Sequence, residues 1–340
     1  MGSISDHNGL QTVDISAYLH SNDPVSRKAK ADELVKAIHG HGACGIVGHN
    51  IHIETWREAL ERSKEFFDLP LEEKRKVDHP QGTVPHRGYT GMGRESIYSK
   101  DELEAMAGNP GARADKALDW NEHYDIGSDQ EPVHHNRWVD EKTMPGFREF
   151  MKDFLQKLEQ LHRAVLDALL LGLEVEPSED YFRSLHAGPQ GGIRLLHYPS
   201  LLESTIDRQA TTWWPPHTDF TTFTFLIRDQ NQGLEIEDRS QPRTFIPATT
   251  EIRDRIWFTM GDFGEVWSNG YLPASKHRVM IPSPPPGLST TTERFSIPYF
   301  VNPRSDDSAL LITFLYDGFL FLCVDVNERE NQNRPRGVSV

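Results

Sequence analysis

The sequence contains little cysteine. Only Cys44 and Cys323 occur among 340 residues, which is too few for a disulfide framework, and their separation does not fit a zinc site. We interpret both as ordinary thiols. The chain is long enough to bury a sizeable core, as one large domain or two small ones, and its 37% of hydrophobic residues is ordinary for a globular protein.

Long apolar runs and positive charge are also scarce. No stretch approaches the roughly 18 apolar residues of a membrane-spanning helix, and the first ten residues lack the basic and apolar segments of a secretion signal. The formal net charge is −15, and no run of Lys or Arg is long enough to follow a phosphate backbone. We therefore expect a soluble, cytoplasmic protein with neither nucleic acid nor a membrane as partner. The sequence does not indicate an oligomeric state.

Helical periodicity is confined to the first half of the chain. Apolar residues recur at helical spacing in 27–40, 53–67 and 145–172. A short extended run at 40–48 separates the first two segments. Residues 78–143 are rich in turn-forming residues and show no clean period, which predicts surface loops.

Beyond Gly191 the chain changes to short strand-like runs separated by turn residues. These runs are IRLLHY, TFTFLI, LEIE, RIWFTM, EVW, HRVMI and RFSIPYFV. Such a series is typical of a β-barrel or a two-sheet jelly roll. With helices from the first half, we predict a mainly β fold with flanking helices (α+β), in which residues 281–293 form a loop between two strands.

Two histidines and an aspartate could hold a metal ion. His217 and Asp219 are two positions apart before a strand-like run, and His277 begins another. Two imidazoles and one carboxylate form a facial triad that leaves three positions of an iron ion open. The same His-x-Asp pattern occurs at 123–125, where no second histidine lies in a strand-like run nearby. We interpret that copy as an ordinary strand with one polar face.

Arg294 and Ser296 alternate with Phe295, so on a strand the guanidinium and the hydroxyl share one face. A guanidinium with a nearby hydroxyl is suited to a carboxylate held away from water. Because this pair follows His277, we expect it in the next strand of the same sheet. A 2-oxo diacid could then chelate the metal at one end and meet Arg294 at the other.

These residues resemble the 2-oxoglutarate- and Fe(II)-dependent oxygenases related to isopenicillin N synthase. The resemblance covers His217, Asp219, His277, Arg294 and Ser296, and the sequence leading to the distal histidine, GDFGEVWSNGYLPASKHRV. In the first half, GHGACGIVGHNI, EFFDLPLEEKRKV, HRGYTGMGRES and DWNEHYDIG are similar to further family segments. The last of these contains His123, which supports our interpretation that His123 is not a ligand.

The resemblance implies a double-stranded β-helix with a cupin-like core, and the cofactors Fe(II), 2-oxoglutarate and O2. It implies four regions: an N-terminal dioxygenase region at 11–125, a connecting segment with the long helix at 126–190, the jelly-roll core at 191–305 and a tail at 306–340. It also implies that Tyr198 binds a carboxylate, that of 2-oxoglutarate in the oxygenases. The substrate would be a small molecule, and the reaction a hydroxylation, desaturation or ring formation, as in secondary metabolism.

The chain departs from the family pattern at three places. Leu196 stands where many plant members have asparagine, the interval from His277 to Arg294 is longer than usual, and the tail does not resemble the family's closing helix. Two alternatives remain: an oxidase like isopenicillin N synthase that needs no 2-oxo acid, and a metal-binding jelly roll without catalysis. We expect loops 79–110 and 127–145 to select the substrate, together with four residues: Arg87, Arg94, Phe220 and Phe300.

Overall fold

A computed structural model describes residues 4–5, 9–80, 86–94, 120–175, 179–188, 191–208, 212–249, 251–303, 315–316 and 319–320. Its helices are α1 (Ser16–His20), α2 (Pro24–His41), α3 (Ile53–Phe67), α4 (Leu71–Arg75), α5 (Phe147–Gly172), α6 (Glu179–Leu185) and α7 (Asp262–Trp267). Its strands in the first half are β1 (Ile4–Ser5), β2 (Gln11–Asp14), β3 (Ala43–Val47), β4 (Gly88–Thr90) and β5 (Glu122–Gly127). Those that follow are β6 (Gly192–Tyr198), β7 (Trp214–His217), β8 (Phe223–Arg228), β9 (Leu234–Glu237), β10 (Phe245–Pro247), β11 (Ile256–Met260), β12 (His277–Val279), β13 (Arg294–Val301), β14 (Leu315–Tyr316) and β15 (Phe319–Leu320).

The predicted helices are confirmed, and local chemistry accounts for their ends. The side chain of Asp23 accepts hydrogen bonds from the backbone N–H groups of Val25 and Ser26, which fixes the start of α2. Gly42 ends this helix with a φ of +70°. A Cβ at Gly42 would lie 2.2 Å from the carbonyl oxygen of Pro273, so the position needs glycine both for its conformation and for space.

Two large sheets and a two-stranded ribbon, β14-β15, form the β part of the described residues. The larger has nine strands in the order β1-β2-β3-β11-β8-β13-β6-β5-β4, and the smaller has four in the order β10-β9-β12-β7. Strands from the first half of the chain therefore extend both edges of the sheet built by the second half. This layout of two sheets with helices from the first half agrees with the predicted fold class.

Side chains of the nine-stranded sheet alternate between its two faces, as the period of a strand requires. On β13, Phe295, Ile297 and Tyr299 belong to the main hydrophobic core, which they share with α2, α3 and α5. The alternate residues of β13 line a cavity on the other face; they are Arg294, Ser296, Pro298 and Phe300. The helices thus cover one face of the sheet and leave the opposite face for the site.

Three sequence-based expectations need correction. EVW is not a strand but the last turn of α7, which begins directly after β11. His217 ends a strand of its own, β7, which the sequence did not reveal. Arg294 and Ser296 do not share a sheet with His277, because β13 lies in the nine-stranded sheet and β12 in the four-stranded sheet. Chain order does not reveal such a change of sheet.

Other expectations concern cysteine, the 281–293 loop, the tail and the membrane. Cys44 is free and buried, and burial raises the pKa of its thiol; Cys323 lies outside the described residues. Residues 281–293 connect β12 to β13 without a helix or strand of their own, as predicted. The tail at 306–340 is described only at β14 and β15. Among the described helices, none has the length and apolar character needed to cross a membrane.

Two buried histidines at the interface of helices and sheet should make stability depend on pH. Burial lowers the pKa of His162 to about 3 and that of His186 to about 4. In the unfolded chain both histidines take up protons near pH 6.5. In the folded chain both stay neutral until the pH is far lower. Folding stability should therefore fall by about 1.4 kcal/mol per histidine from about pH 7.5 to about pH 5.5.

Urea unfolding at the two pH values, with and without His162→Gln, measures this effect. The variant should lose about half of the fall in unfolding free energy assigned to these two histidines. An equal fall in both proteins would show that His162 is not responsible. His162 also lies against Tyr299, with Nδ1 3.1 Å from the tyrosine oxygen, so the variant is expected to be less stable at both pH values. The comparison uses only the change in unfolding free energy between the two pH values.

Candidate functional site

The three predicted ligands meet at one end of the four-stranded sheet. His277 begins β12 and lies directly opposite His217, the last residue of β7. Asp219 follows in the turn that leads to β8. Its Oδ1 atom lies 3.6 Å from Nε2 of His217 and 4.0 Å from Nε2 of His277, and ligand atoms of the three residues all lie within 4.8 Å of one another.

Backbone carbonyl groups orient both imidazoles. Nδ1 of His217 lies 2.9 Å from the oxygen of Pro215, and Nδ1 of His277 lies 3.0 Å from the oxygen of Ser275. Because a carbonyl only accepts, each Nδ1 carries the hydrogen and each Nε2 keeps a lone pair on the side of Asp219. Burial and the neighbouring His277 hold the pKa of His217 well below its usual value, so its imidazole is neutral at pH 7. Two imidazoles and one carboxylate fit Fe(II).

A threonine pair holds the carboxylate of this cluster. Thr224 donates a hydrogen bond of 2.7 Å to Oδ2 of Asp219, and its oxygen lies 3.1 Å from that of Thr221. This hydrogen bond fixes Oδ2, so that Oδ1 is the carboxylate oxygen that lies beside the two histidines. This role of Thr224 was not predicted from the sequence, although alternation along the predicted strand TFTFLI places Thr224 on the same face as the site.

Thr224→Val should weaken metal binding by about 10- to 100-fold, the usual effect of removing an outer hydrogen bond to a ligand. Thr224→Ser keeps the hydroxyl and should bind metal nearly as the wild type does. Titration with Zn(II) against a chelator measures both affinities. Equal affinities of the valine and serine variants would show that the hydroxyl does not hold Asp219.

Arg294, at the start of β13, lies on the opposite sheet and is completely buried. Its Nη1 donates to Oγ of Ser296 at 3.0 Å, and its guanidinium carbon lies 5.0 Å from the centre of the Tyr198 ring. Among the described residues, its Nε and Nη2 atoms have no hydrogen-bond partner. A buried guanidinium with two free donors and no carboxylate partner is suited to an anion brought by a ligand.

The cavity between the two sheets has a volume of about 670 Å³, a common size for a small-molecule site. It contains the three predicted metal ligands on one wall and Arg294, Ser296 and Tyr198 on the other. Further residues of its lining are Arg194, Leu196, Trp214, Pro216, Thr218, Phe220, Thr221, Thr224, Leu226, Leu234, Thr259, Val279, Pro298, Phe300 and Asn302.

The four residues expected to select a substrate fall into two groups. Phe220 and Phe300 line the cavity, and Phe220 is 82% exposed. Arg87 and Arg94 are not among the lining residues: the Arg87 guanidinium lies against the backbone of Gly127, and Arg94 pairs with a surface carboxylate. Their predicted roles stay predictions.

Arg194, a cationic residue of the cavity, was not predicted from the sequence. It shares a face of β6 with Leu196 and Tyr198, so strict alternation from Tyr198 would have found it. Its Nε donates to Oδ1 of Asp125 at 2.8 Å. This ion pair anchors the guanidinium at the cavity wall.

The second His-x-Asp is less isolated than the sequence indicated. His86, just before β4, brings a ligand atom within 4.8 Å of those of His123 and Asp125. However, Asp125 is paired with the Arg194 guanidinium, and burial, together with the positive charge on Arg194, lowers the pKa of His123. A cation is therefore disfavoured here, and the exclusion of His123 as an iron ligand stays a prediction.

Comparison with known proteins agrees with this geometry. Residues 10–145 match the family model of the N-terminal region of non-haem dioxygenases in morphine synthesis, and residues 190–303 match that of the 2OG-Fe(II) oxygenase superfamily. The chain is 33% identical over 301 residues to the 2-oxoglutarate-dependent dioxygenase frbA of Dothideomycetidae sp. (strain 11243), covering 88% of this chain and 87% of the relative. It belongs to the 2-oxoglutarate- and Fe(II)-dependent oxygenases.

Two further relatives of this oxygenase are informative. A proline hydroxylase, buaE of Petromyces alliaceus, is 31% identical over 308 residues, which are 90% of this chain and 91% of the relative. A Neurospora crassa protein solved with α-ketoglutarate and thymine is 26% identical, with a TM-score of 0.77 over 95% of this chain and 96% of that one. The predicted double-stranded β-helix is therefore confirmed, as are Fe(II), 2-oxoglutarate and O2 as the cofactors of the family.

Proposed function

We propose that this oxygenase binds Fe(II) through His217, Asp219 and His277 and binds the distal carboxylate of 2-oxoglutarate through Arg294, Ser296 and Tyr198. The observation that carries the proposal is the buried Arg294 guanidinium, two of whose nitrogen atoms have no partner among the described residues, in the same cavity as the three ligands. Burying this charge without an anion is unfavourable. A dicarboxylate that reaches both walls would supply the anion.

The bound iron supplies the reaction of O2 with 2-oxoglutarate, which gives succinate and CO2 and oxidises a substrate. The protein chain positions the metal ligands and the co-substrate. His217 and His277 are held by backbone carbonyl groups, and Thr224 orients Asp219. The nine-stranded sheet contributes the anion-binding wall, and apolar side chains from both sheets line the cavity and exclude water from the reaction.

The substrate is proposed to be a small molecule held by Phe220, Phe300 and the wall around Arg194. A relative named as a proline hydroxylase and a structural neighbour with bound thymine support a small ligand. Arg87 lies beside Asp125, the partner of Arg194, and would act only through that pair. Arg94 lies further out on the surface.

The charge of the chain and its relatives also support a proposal for the wider setting of the enzyme. We place the enzyme in the cytoplasm, acting on a free metabolite in secondary metabolism, without nucleic acid or a membrane as partner. The net charge of −15 supports this setting, since it disfavours binding to polyanions. We also retain the division into regions 11–125, 126–190, 191–305 and 306–340.

The test is an anaerobic titration of the Fe(II) protein with 2-oxoglutarate, followed by measurement of O2 uptake and succinate release during a screen of small metabolites. A visible charge-transfer band that saturates with 2-oxoglutarate, and substrate-stimulated succinate release, are expected. O2 uptake with substrate and no 2-oxo acid would instead identify an oxidase on the same scaffold. No metal-dependent O2 uptake under any condition would favour a jelly roll without catalysis.

A further inference from the structure

An irregular edge strand places a tryptophan beside a metal ligand. On β7, Trp214 and His217 are three residues apart, but their partners on β12, Val279 and His277, are only two apart. One extra residue is therefore accommodated in β7 between them. In a regular strand, residues three apart point to opposite faces, whereas a bulge restores them to the same face.

The sequence accounts for this bulge. The two residues between Trp214 and His217 are Pro215 and Pro216, and proline cannot donate to the hydrogen-bond ladder. Such a pair is tolerated because, among the described strands, β7 is an edge strand with β12 as its single neighbour. The indole of Trp214 consequently lines the cavity alongside His217.

The indole N–H donates to the nitrogen of His217 that faces the ligand cluster. Nε1 of Trp214 lies 3.1 Å from Nε2 of His217, and the two rings are nearly perpendicular at 77°. Since Nδ1 of His217 carries the hydrogen shared with Pro215, Nε2 offers one lone pair. A metal ion on His217 needs that same lone pair.

We infer that the Trp214 indole N–H and the metal ion compete for Nε2 of His217, so that Trp214 lowers the affinity of this site for its metal. Metal binding breaks the indole hydrogen bond, and removal of the N–H favours the metal. This inference rests on the proposed ligand role of His217. It goes beyond that role by naming a residue that is no ligand and yet sets metal affinity.

Trp214→Phe keeps an aromatic ring and removes the donor. Because an ordinary hydrogen bond is lost from the metal-free state alone, Zn(II) should bind the variant about threefold to tenfold more tightly than the wild type. Competition with a chelator measures the dissociation constants without catalysis. Trp138→Phe is the matched control, since that indole also donates one hydrogen bond, to Asp129, and is not among the cavity-lining residues. Its affinity for Zn(II) should equal that of the wild type.

A second readout needs no variant. Of the seven tryptophan indole N–H signals expected in a ¹H–¹⁵N spectrum of the wild type, one should shift strongly on addition of Zn(II). Failure of every indole signal to move would overturn the inference, as would unchanged or weaker Zn(II) binding by Trp214→Phe.

The variant His217→Ala distinguishes failure of the proposed ligand set from failure of the inference about Trp214. If it binds Zn(II) as the wild type does, the proposed ligand set is wrong. If it loses Zn(II) while Trp214→Phe binds as the wild type, only the inference about Trp214 fails.

Discussion

Asp219→Ala is expected to lose stable Fe(II) binding and to reduce succinate formation by at least about a thousandfold. Asp219 is the only anionic member of the ligand cluster, and its Oδ1 atom is within 4.0 Å of Nε2 of both histidines. Without it, two neutral imidazoles would bear the full charge of the ion. Because the iron performs the oxidation, loss of the ion removes the whole rate enhancement rather than part of it.

Metal content by atomic absorption and succinate release by chromatography measure the two effects. Asp219→Asn keeps the shape of the side chain and removes its charge, so it should also bind Fe(II) poorly. Asp68→Ala is a control for loss of an acidic group, since Asp68 forms a surface pair with Lys64. Normal succinate formation by Asp219→Ala would mean that the metal lies elsewhere.

The second large effect is expected at Arg294. Arg294→Leu should raise the KM for 2-oxoglutarate by about 30- to 1000-fold, in line with loss of one partner of a buried charge pair. The guanidinium is completely buried, and in the described part of the chain no carboxylate compensates it. Ser296→Ala removes a neutral partner and should raise the KM by about tenfold or less.

A 2-oxo acid without a second carboxylate provides the control for this prediction. The wild type should strongly prefer 2-oxoglutarate to 2-oxobutyrate, and Arg294→Leu should lose most of that preference. Steady-state CO2 release with each acid gives the ratio. An unchanged preference in the variant would show that Arg294 does not bind the distal carboxylate.

Local patterns predicted the elements of this fold well. The apolar stripe at 145–172 predicted α5, and alternation predicted which side chains of β13 share a face. EVW failed because three residues are too few to show a period: the segment continues a short helix after β11. The sheet to which a strand belongs depends on pairing between distant segments, and chain order alone placed β13 in the wrong sheet.

The residues of the site likewise include some that local sequence predicted and some that depend on contacts between distant segments. Residue type and spacing singled out His217, Asp219, His277 and Arg294, because few side chains can hold iron or a buried carboxylate. The residues that orient them were missed, since the contact of Thr224 with Asp219 exists only after the turn closes. Trp214 was missed because standard alternation puts it on the wrong face, although Pro-Pro before a ligand is a visible sign of an irregular strand.

The separation of the two sheets has a consequence for the choice of co-substrate. The proposed metal ligands lie on the four-stranded sheet or in the turn after it, whereas Arg294 lies on the nine-stranded sheet. A diacid that binds both the metal and Arg294 must span the cavity. The distance between the two sheets therefore selects the carbon-chain length of the diacid. A shorter diacid such as oxaloacetate would reach one wall only. A substitution that repacks the interior between the sheets could therefore alter co-substrate preference without touching any residue that binds it.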